Sequence, residues 1–192
     1  MRTYEEKKKA LYDFMNTCIE EDICIAFSGG VDSSVLLQLA RNCAEKKKRQ
    51  SSIYAVTFHT MLHPSCDLEI AQKVAKEAGA IHKVLFVNEL EQAEIRFNPK
   101  DRCYLCKKAL FGKLKAYAEE KRVSCILEGT NEDDLHVYRP GLKAVKEMGV
   151  LSPLAMHGFT KEEVRRLAEE LGVSVAKRPS TPCLATRLPY GA

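Results

Sequence analysis

Residues 28–34 read Ser28-Gly29-Gly30-Val31-Asp32-Ser33-Ser34 and follow directly on the apolar run Ile23-Cys24-Ile25-Ala26-Phe27. A strand that runs into small, hydroxyl-bearing residues and then a helix is suited to hold phosphate. Gly29 and Gly30 let the backbone approach phosphate oxygens closely, and the first-turn N–H groups of the following helix face the anion with the positive end of its dipole. Ser28, Ser33 and Ser34 add hydroxyl donors. No Gly-Lys-Ser/Thr follows, so this is not the Walker loop, whose lysine reaches the β- and γ-phosphates. Asp32 has two readings. A carboxylate beside a triphosphate repels it unless a cation such as Mg²⁺ lies between them; otherwise Asp32 complements the helix dipole.

Two further segments carry reactive or charged groups. Glu128-Gly129-Thr130-Asn131-Glu132-Asp133-Asp134 follows an apolar run at 123–128. Gly129 and Thr130 fit a turn closing over the nucleotide, and Glu132 or Asp133 a place beside Mg²⁺. The competing reading is a polar turn that caps the next helix through Asn131 or Asp133. Arg102-Cys103-Tyr104-Leu105-Cys106-Lys107-Lys108 holds two cysteines at the spacing of half a zinc or iron–sulfur site. A mate would come from His59, His63, Cys66 or Cys183. The plain alternative is a helix start with Cys106 inward and Arg102 and Lys107 exposed, where either cation is suited to bind an anion.

Near the end, Arg178-Pro179-Ser180-Thr181-Pro182-Cys183-Leu184-Ala185-Thr186-Arg187-Leu188-Pro189-Tyr190-Gly191 carries three prolines that exclude a regular helix or central strand. Cys183 is therefore expected on a stiffened loop. It reads either as a thiolate favoured by Arg178 and Arg187 or as a small apolar thiol tucked under the loop.

The elements that position these groups alternate between apolar runs and helical patterns, as in a parallel sheet with helices on both faces. Helices are expected over 4–20, 31–48, 66–79, 103–121, 141–148 and 160–171. Leu11, Phe14, Met15 and Cys18 form the apolar stripe of the first. Strands are expected over 22–27, 52–58, 81–87 and 123–128, with a short fifth near 150–152. Gly79 and Gly172 sit at helix C-caps, and Thr160 with Glu163 makes a capping box. Ligands in such a sheet bind at the carboxyl ends of the strands, here near 28–34, 58–64, 88–102 and 129–139.

With 192 residues the chain is long enough for one α/β domain with a sizeable core. Lys+Arg 30 against Asp+Glu 26 leaves +4, too mild to argue for nucleic acid. The runs Lys7-Lys8-Lys9 and Lys46-Lys47-Lys48-Arg49 read first as solvated helix faces or ends, and second as tRNA contacts. The N-terminal residues do not read as a signal peptide and no apolar run approaches membrane-spanning length. Eight cysteines in that setting point to reduced thiols and a cytoplasmic location.

The heptapeptide at 28–34 resembles the PP-loop of the ATP pyrophosphatase superfamily, which includes NAD and GMP synthetases and tRNA thiolases. That resemblance implies an adenine nucleotide alpha hydrolase-like, Rossmann-like domain with ATP and Mg²⁺ as cofactors, and cleavage of ATP between its α- and β-phosphates. Together with Arg102 to Lys108, Glu128 to Asn131, Tyr138-Arg139-Pro140-Gly141-Leu142, Ser152-Pro153-Leu154 and Pro179 to Gly191, the chain from about residue 10 onward resembles the LarE family of ATP-dependent sulfur transferases of nickel-pincer cofactor synthesis.

The LarE resemblance implies adenylation of a carboxylate of pyridinium-3,5-dicarboxylate mononucleotide, followed by sulfur transfer. The cysteine of that chemistry falls at Cys183, and the resemblance places Arg139 and Arg187 beside Arg102 and Lys107 as candidate substrate cations. Some members carry sulfur on an iron–sulfur cluster held by three cysteines; with no cysteine after Cys183, the sacrificial form is the expectation here. The resemblance further implies a PP-loop domain over 1–177. Residues 178–192 would open a C-terminal region that helps to bind substrate and build a homo-oligomer. Competing activities on the same core are tRNA thiolation, amide formation as in NAD or GMP synthetase, and simple adenine-nucleotide binding.

Overall fold

The structure is a computed structural model that describes residues 2–63, 65–92 and 94–191, with Ser65, Cys66 and Gln92 described by their backbone alone. The expected strands form as β1 (Ile23–Ala26), β2 (Ile53–Thr60), β3 (Ile81–Val87) and β4 (Cys125–Leu127). They make one parallel sheet in the order β3-β2-β1-β4, with Ile23 opposite Ile53 and Cys125. β1 is thus central, and its residues alternate between two cores. Ile23 and Ile25 pack with Leu11, Met15, Leu36, Leu39 and Leu167 on one face. Cys24 packs with Phe111, Leu114 and Val145 on the other. This alternation is the period-two consequence of a strand covered on both sides.

The first core is roofed by α1 (Tyr4–Cys18), α2 (Val31–Lys46), α3 (Ser65–Glu77) and α8 (Lys161–Glu170), the second by α5 (Arg102–Glu120) and α6 (Gly141–Glu147). Short helices α4 (Glu89–Gln92) and α7 (Pro153–Met156) complete the set. Helix ends follow the sequence signals. Thr160 caps α8, and Thr3 likewise caps α1, each through a capping box, while Gly79 and Gly172 adopt the positive φ of C-terminal caps.

One expectation needs correction: the sheet has four strands among the described residues, not five. The expected strand near 150–152 is a single parallel bridge between Leu127 and Leu151. Gly149, at φ 70°, turns the chain out of α6, and Pro153 opens α7. Only three residues remain between them, and the proline has no N–H to continue a ladder. The bridge still does structural work, because Leu151 donates to Ile126 O and accepts from Glu128 N, each at 2.9 Å.

Among the described residues from Arg178 onward the regular element is one 3₁₀ turn, Leu184–Arg187. The stretch is fastened by backbone bonds: Leu184 N donates to Leu62 O at 2.9 Å, and Gly191 N to Asn98 O at 3.0 Å. No helix among the described residues is long and apolar enough to cross a membrane.

Candidate functional site

The loop from β1 to α2 is built before any ligand arrives. Ser28 N and Ser28 Oγ both lie 3.3 Å from Ser33 Oγ, Gly30 N donates to Ser28 Oγ at 3.2 Å, and Ser33 Oγ reaches Gly30 O at 3.4 Å. Gly29 holds φ 75°, and a Cβ there would lie 2.9 Å from Ala71 N and Cα, so α3 packs directly on the loop. α2 begins at Gly30 without a side-chain cap. Its first N–H groups are thus left for an anion. Across the loop, a Cβ on Gly129 would come 3.0 Å from Ser33 N and 3.1 Å from Asp32 Cβ, so only glycine lets the end of β4 approach this closely.

Two of the expected nucleotide contacts are buried. Ser34 is 1% exposed and its hydroxyl finds no partner among the described residues. It lines a cavity of about 400 Å³ with Gln38, Val74, Glu77 and Gly172, to which α2, α3 and the end of α8 contribute. Thr130 is buried, and its hydroxyl and N–H both donate to the Glu128 carboxylate, at 2.8 and 2.9 Å. With its proton committed, the Thr130 hydroxyl has only acceptor capacity left. Glu128, which the sequence did not single out, also accepts from Ser152 Oγ and lies 3.5 Å from Lys107 Nζ.

The acidic turn divides between neighbours. Asp32 bonds Lys161 Nζ and, at 3.2 Å, Asn131 Nδ2. Glu132 bonds His136 at 2.9 Å, and Asp133 accepts from Lys161 N at 2.8 Å. Among the described residues no three His, Cys, Asp or Glu side chains gather to hold a metal ion, so Asp32, Glu132 and Asp133 are not assembled as a ligand set. The turn also caps, although Asp133 bonds the first N–H of α8 and not of the next helix in sequence. Asn131 and Asp134 bond each other's backbone N–H at 3.3 and 3.1 Å. Asp134 carries the exposed Arg139 at 3.0 Å.

The second cluster surrounds Cys183. Arg102 was expected at the surface but is 6% exposed. Its guanidinium bonds Asn98 Oδ1 and lies 5.2 Å over the Tyr190 ring. Asn98 in turn donates to Leu188 O and Pro189 O at 3.2 and 2.7 Å, fixing the proline-rich loop. Burial pushes the Cys183 thiol up; the Ala185 N–H and the Arg102 charge pull it part-way back, and Cys103 and Glu89 add to the rise. Arg102 thus takes the part expected of Arg178 and Arg187. Arg178 instead bonds Asp67, and Arg187 is exposed in the 3₁₀ turn.

Cys106, on the inner side of α5 as expected, is pushed up to about 12 by burial first, then by Glu89, Cys183 and Cys103. Cys103 and Cys106 therefore share their surroundings with Cys183. His63 bonds Thr60 and His59 meets the Phe86 ring edge to face; the Cys66 side chain lies outside the described residues. Glu89 carried no motif signal in the sequence either. It is fully buried and accepts from Met61 N and Leu62 N at 3.3 and 2.8 Å, holding the end of β2 where Leu184 docks.

A model of the PP-loop domain matches residues 3–137. The chain belongs to the PP-loop ATP-binding family. It is 30% identical over 191 residues, all but the whole chain and 67% of the relative, to the pyridinium-3,5-bisthiocarboxylic acid mononucleotide synthase of Lactiplantibacillus plantarum, a LarE protein. It is 37% identical over 167 residues, 87% of this chain and 60% of the relative, to an uncharacterized protein of Synechocystis. The chain thus spans 60% to 67% of the length of these curated relatives. The U34-tRNA thiolase NcsA from Methanococcus maripaludis, solved with its [4Fe-4S] cluster, shares the fold at a TM-score of 0.66 and 19% identity, over 95% of this chain and 71% of that one.

Proposed function

We propose that this PP-loop protein is a LarE-type sulfur transferase acting on pyridinium-3,5-dicarboxylate mononucleotide. A substrate carboxylate oxygen attacks the α-phosphorus of ATP, the bond to the bridging oxygen of the β-phosphate breaks, and pyrophosphate leaves. The Cys183 thiolate then attacks the acyl carbon and AMP departs, leaving a thioester. Loss of the Cys183 Cα proton with cleavage of its Cβ–Sγ bond delivers the thiocarboxylate and leaves dehydroalanine in the chain. No oxidant or reductant is needed.

The observation that carries this reading is the shared edge. Leu184 is bonded to the end of β2, the strand beside β1, whose own end is the phosphate loop. Nucleophile and nucleotide loop thus sit at the carboxyl ends of neighbouring strands. Ser28, Gly29, Gly30, Ser33 and the open start of α2 receive the phosphates. The hard carboxylate oxygens of Asp32 would suit Mg²⁺. The ion supplies neutralisation of the departing pyrophosphate. Arg102 favours the attacking thiolate, and Lys107, 3.5 Å from Glu128, with the exposed Arg139 and Arg187 suits the acidic mononucleotide. The location consistent with this chemistry is the cytoplasm, and assembly into a homo-oligomer follows the LarE pattern.

The test is pyrophosphate release from Mg·ATP with and without the pyridinium dicarboxylate mononucleotide. Release that requires the mononucleotide supports the reading; no release, or release indifferent to it, contradicts it. The Cys103 and Cys106 thiols near Cys183 favour one second reading, a tRNA thiolase carrying sulfur on a cluster. As placed, the three thiols form no metal-holding group. Pyrophosphate release stimulated by tRNA instead of the mononucleotide would favour that reading.

A further inference from the structure

Both oxygens of Asp32 are already taken. Oδ1 accepts from Asn131 Nδ2 at 3.2 Å and Oδ2 from Lys161 Nζ. The two partners differ in kind. Asn131 is neutral and buried, and it is locked by its reciprocal bonds with Asp134. Lys161 is charged and partly open to solvent, as is Asp32, with side chains 28% and 23% exposed. Its backbone is fixed: Lys161 N donates to Asp133, the Thr160–Glu163 capping box closes the same turn, and Lys7 pairs with Glu163 at 2.9 Å. Only the four-carbon stem is left to move, and an ammonium is a point charge that changes partners without losing a bidentate geometry.

A bare carboxylate on the rim of a phosphate loop repels the nucleotide it must help to bind. Its charge therefore needs a partner before the nucleotide arrives as well as afterwards. Resting on the Mg·ATP reading above, we propose that Lys161 is the counter-ion of Asp32 in the nucleotide-free site and yields that carboxylate oxygen to the divalent cation when Mg·ATP enters, while Asn131 holds the carboxylate in place through the exchange. Lys161 is then a shield that admits ATP, and Asn131 is a positioning residue acting through Asp32.

The test is calorimetric titration of the full chain with ATP in EDTA and with ATP in excess Mg²⁺, comparing wild type with Lys161→Gln, Lys161→Arg and Asn131→Ala. Lys161→Gln should lose about tenfold or more in affinity for metal-free ATP, where Asp32 is left bare, and no more than about threefold for Mg·ATP, where the cation covers it. Lys161→Arg keeps the charge and should retain the metal-free affinity. Asn131→Ala should show the opposite bias, weakening Mg·ATP more than metal-free ATP. Equal losses in Lys161→Gln for both forms would make the lysine an ordinary phosphate contact and overturn the exchange. So would no loss in either form, or a Lys161→Arg that behaves like Lys161→Gln. Wild type that binds neither form would overturn the ATP reading itself, and the exchange with it.

Discussion

The phosphate end and the cysteine end of this site are built by different means. At the phosphate end the chain is confined by regular structure: β1 lies at the centre of the sheet, α3 packs against Gly29, and β4 approaches through Gly129. At the cysteine end an irregular loop is hung from a few hydrogen bonds: Leu184 N donates to Leu62 O, Gly191 N to Asn98 O, and the Asn98 amide to Leu188 O and Pro189 O. The difference suits the proposed chemistry. A phosphate cradle works by rigid donors set in advance, whereas a nucleophile that crosses to an acyl carbon must be carried on something that can shift.

That contrast is sharpest at Gly29. Gly29→Ala would force a Cβ into the Ala71 backbone and strain a positive φ. We expect a loss of about 2–3 kcal/mol in stability and near-complete loss of ATP binding, read by thermal melting and titration. An alanine at 29 that bound ATP normally would break the account of the phosphate end. Arg102→Gln should act on the other side. With the buried cation gone, the Cys183 thiol rises further, and its alkylation at neutral pH should slow severalfold while ATP affinity stays within about twofold.

Asn98→Ala should release the loop. A cost of about 1–2 kcal/mol and severalfold faster alkylation of Cys183 are expected, again without change at the ATP site. If it weakened ATP binding as much as the Gly29 change, the two ends would not be separable. The smallest effect concerns pH. Because burial raises the Cys183 thiol above its ordinary value, the neutral thiol dominates at pH 7. Alkylation of the wild type should keep climbing past the usual thiol midpoint of about 8.5 before levelling. A plateau below that midpoint would mean a resting thiolate.

The same two regions explain what could be read from the sequence. The PP-loop motif was legible because it is written in consecutive residues: a strand, two glycines, hydroxyls and a helix start. The four main strands and the helices that cover them followed from apolar periodicity. The fifth strand was not legible because a glycine cap and a proline start, one on each side of residues 150–152, left no room for a ladder. Lys161 escaped notice because it meets Asp32 from 129 positions away in the chain. Arg102 looked exposed because an arginine at the start of a helix is usually solvated. What buries it is Asn98 and a tyrosine from the far end of the chain, Tyr190. The Thr130 bond to Glu128 could not be read ahead for a simpler reason: residue type tells that a hydroxyl is present but not where its proton goes.

The most direct measurement is the intact mass of the protein after incubation with Mg·ATP and the pyridinium dicarboxylate mononucleotide, with peptide mapping across Cys183. Sacrificial transfer predicts a loss equal to one hydrogen sulfide, mapped to Cys183 and absent when either ATP or the mononucleotide is omitted. An unchanged mass in a sample that has produced AMP and the thiocarboxylate would contradict it, because the sulfur would then have come from elsewhere.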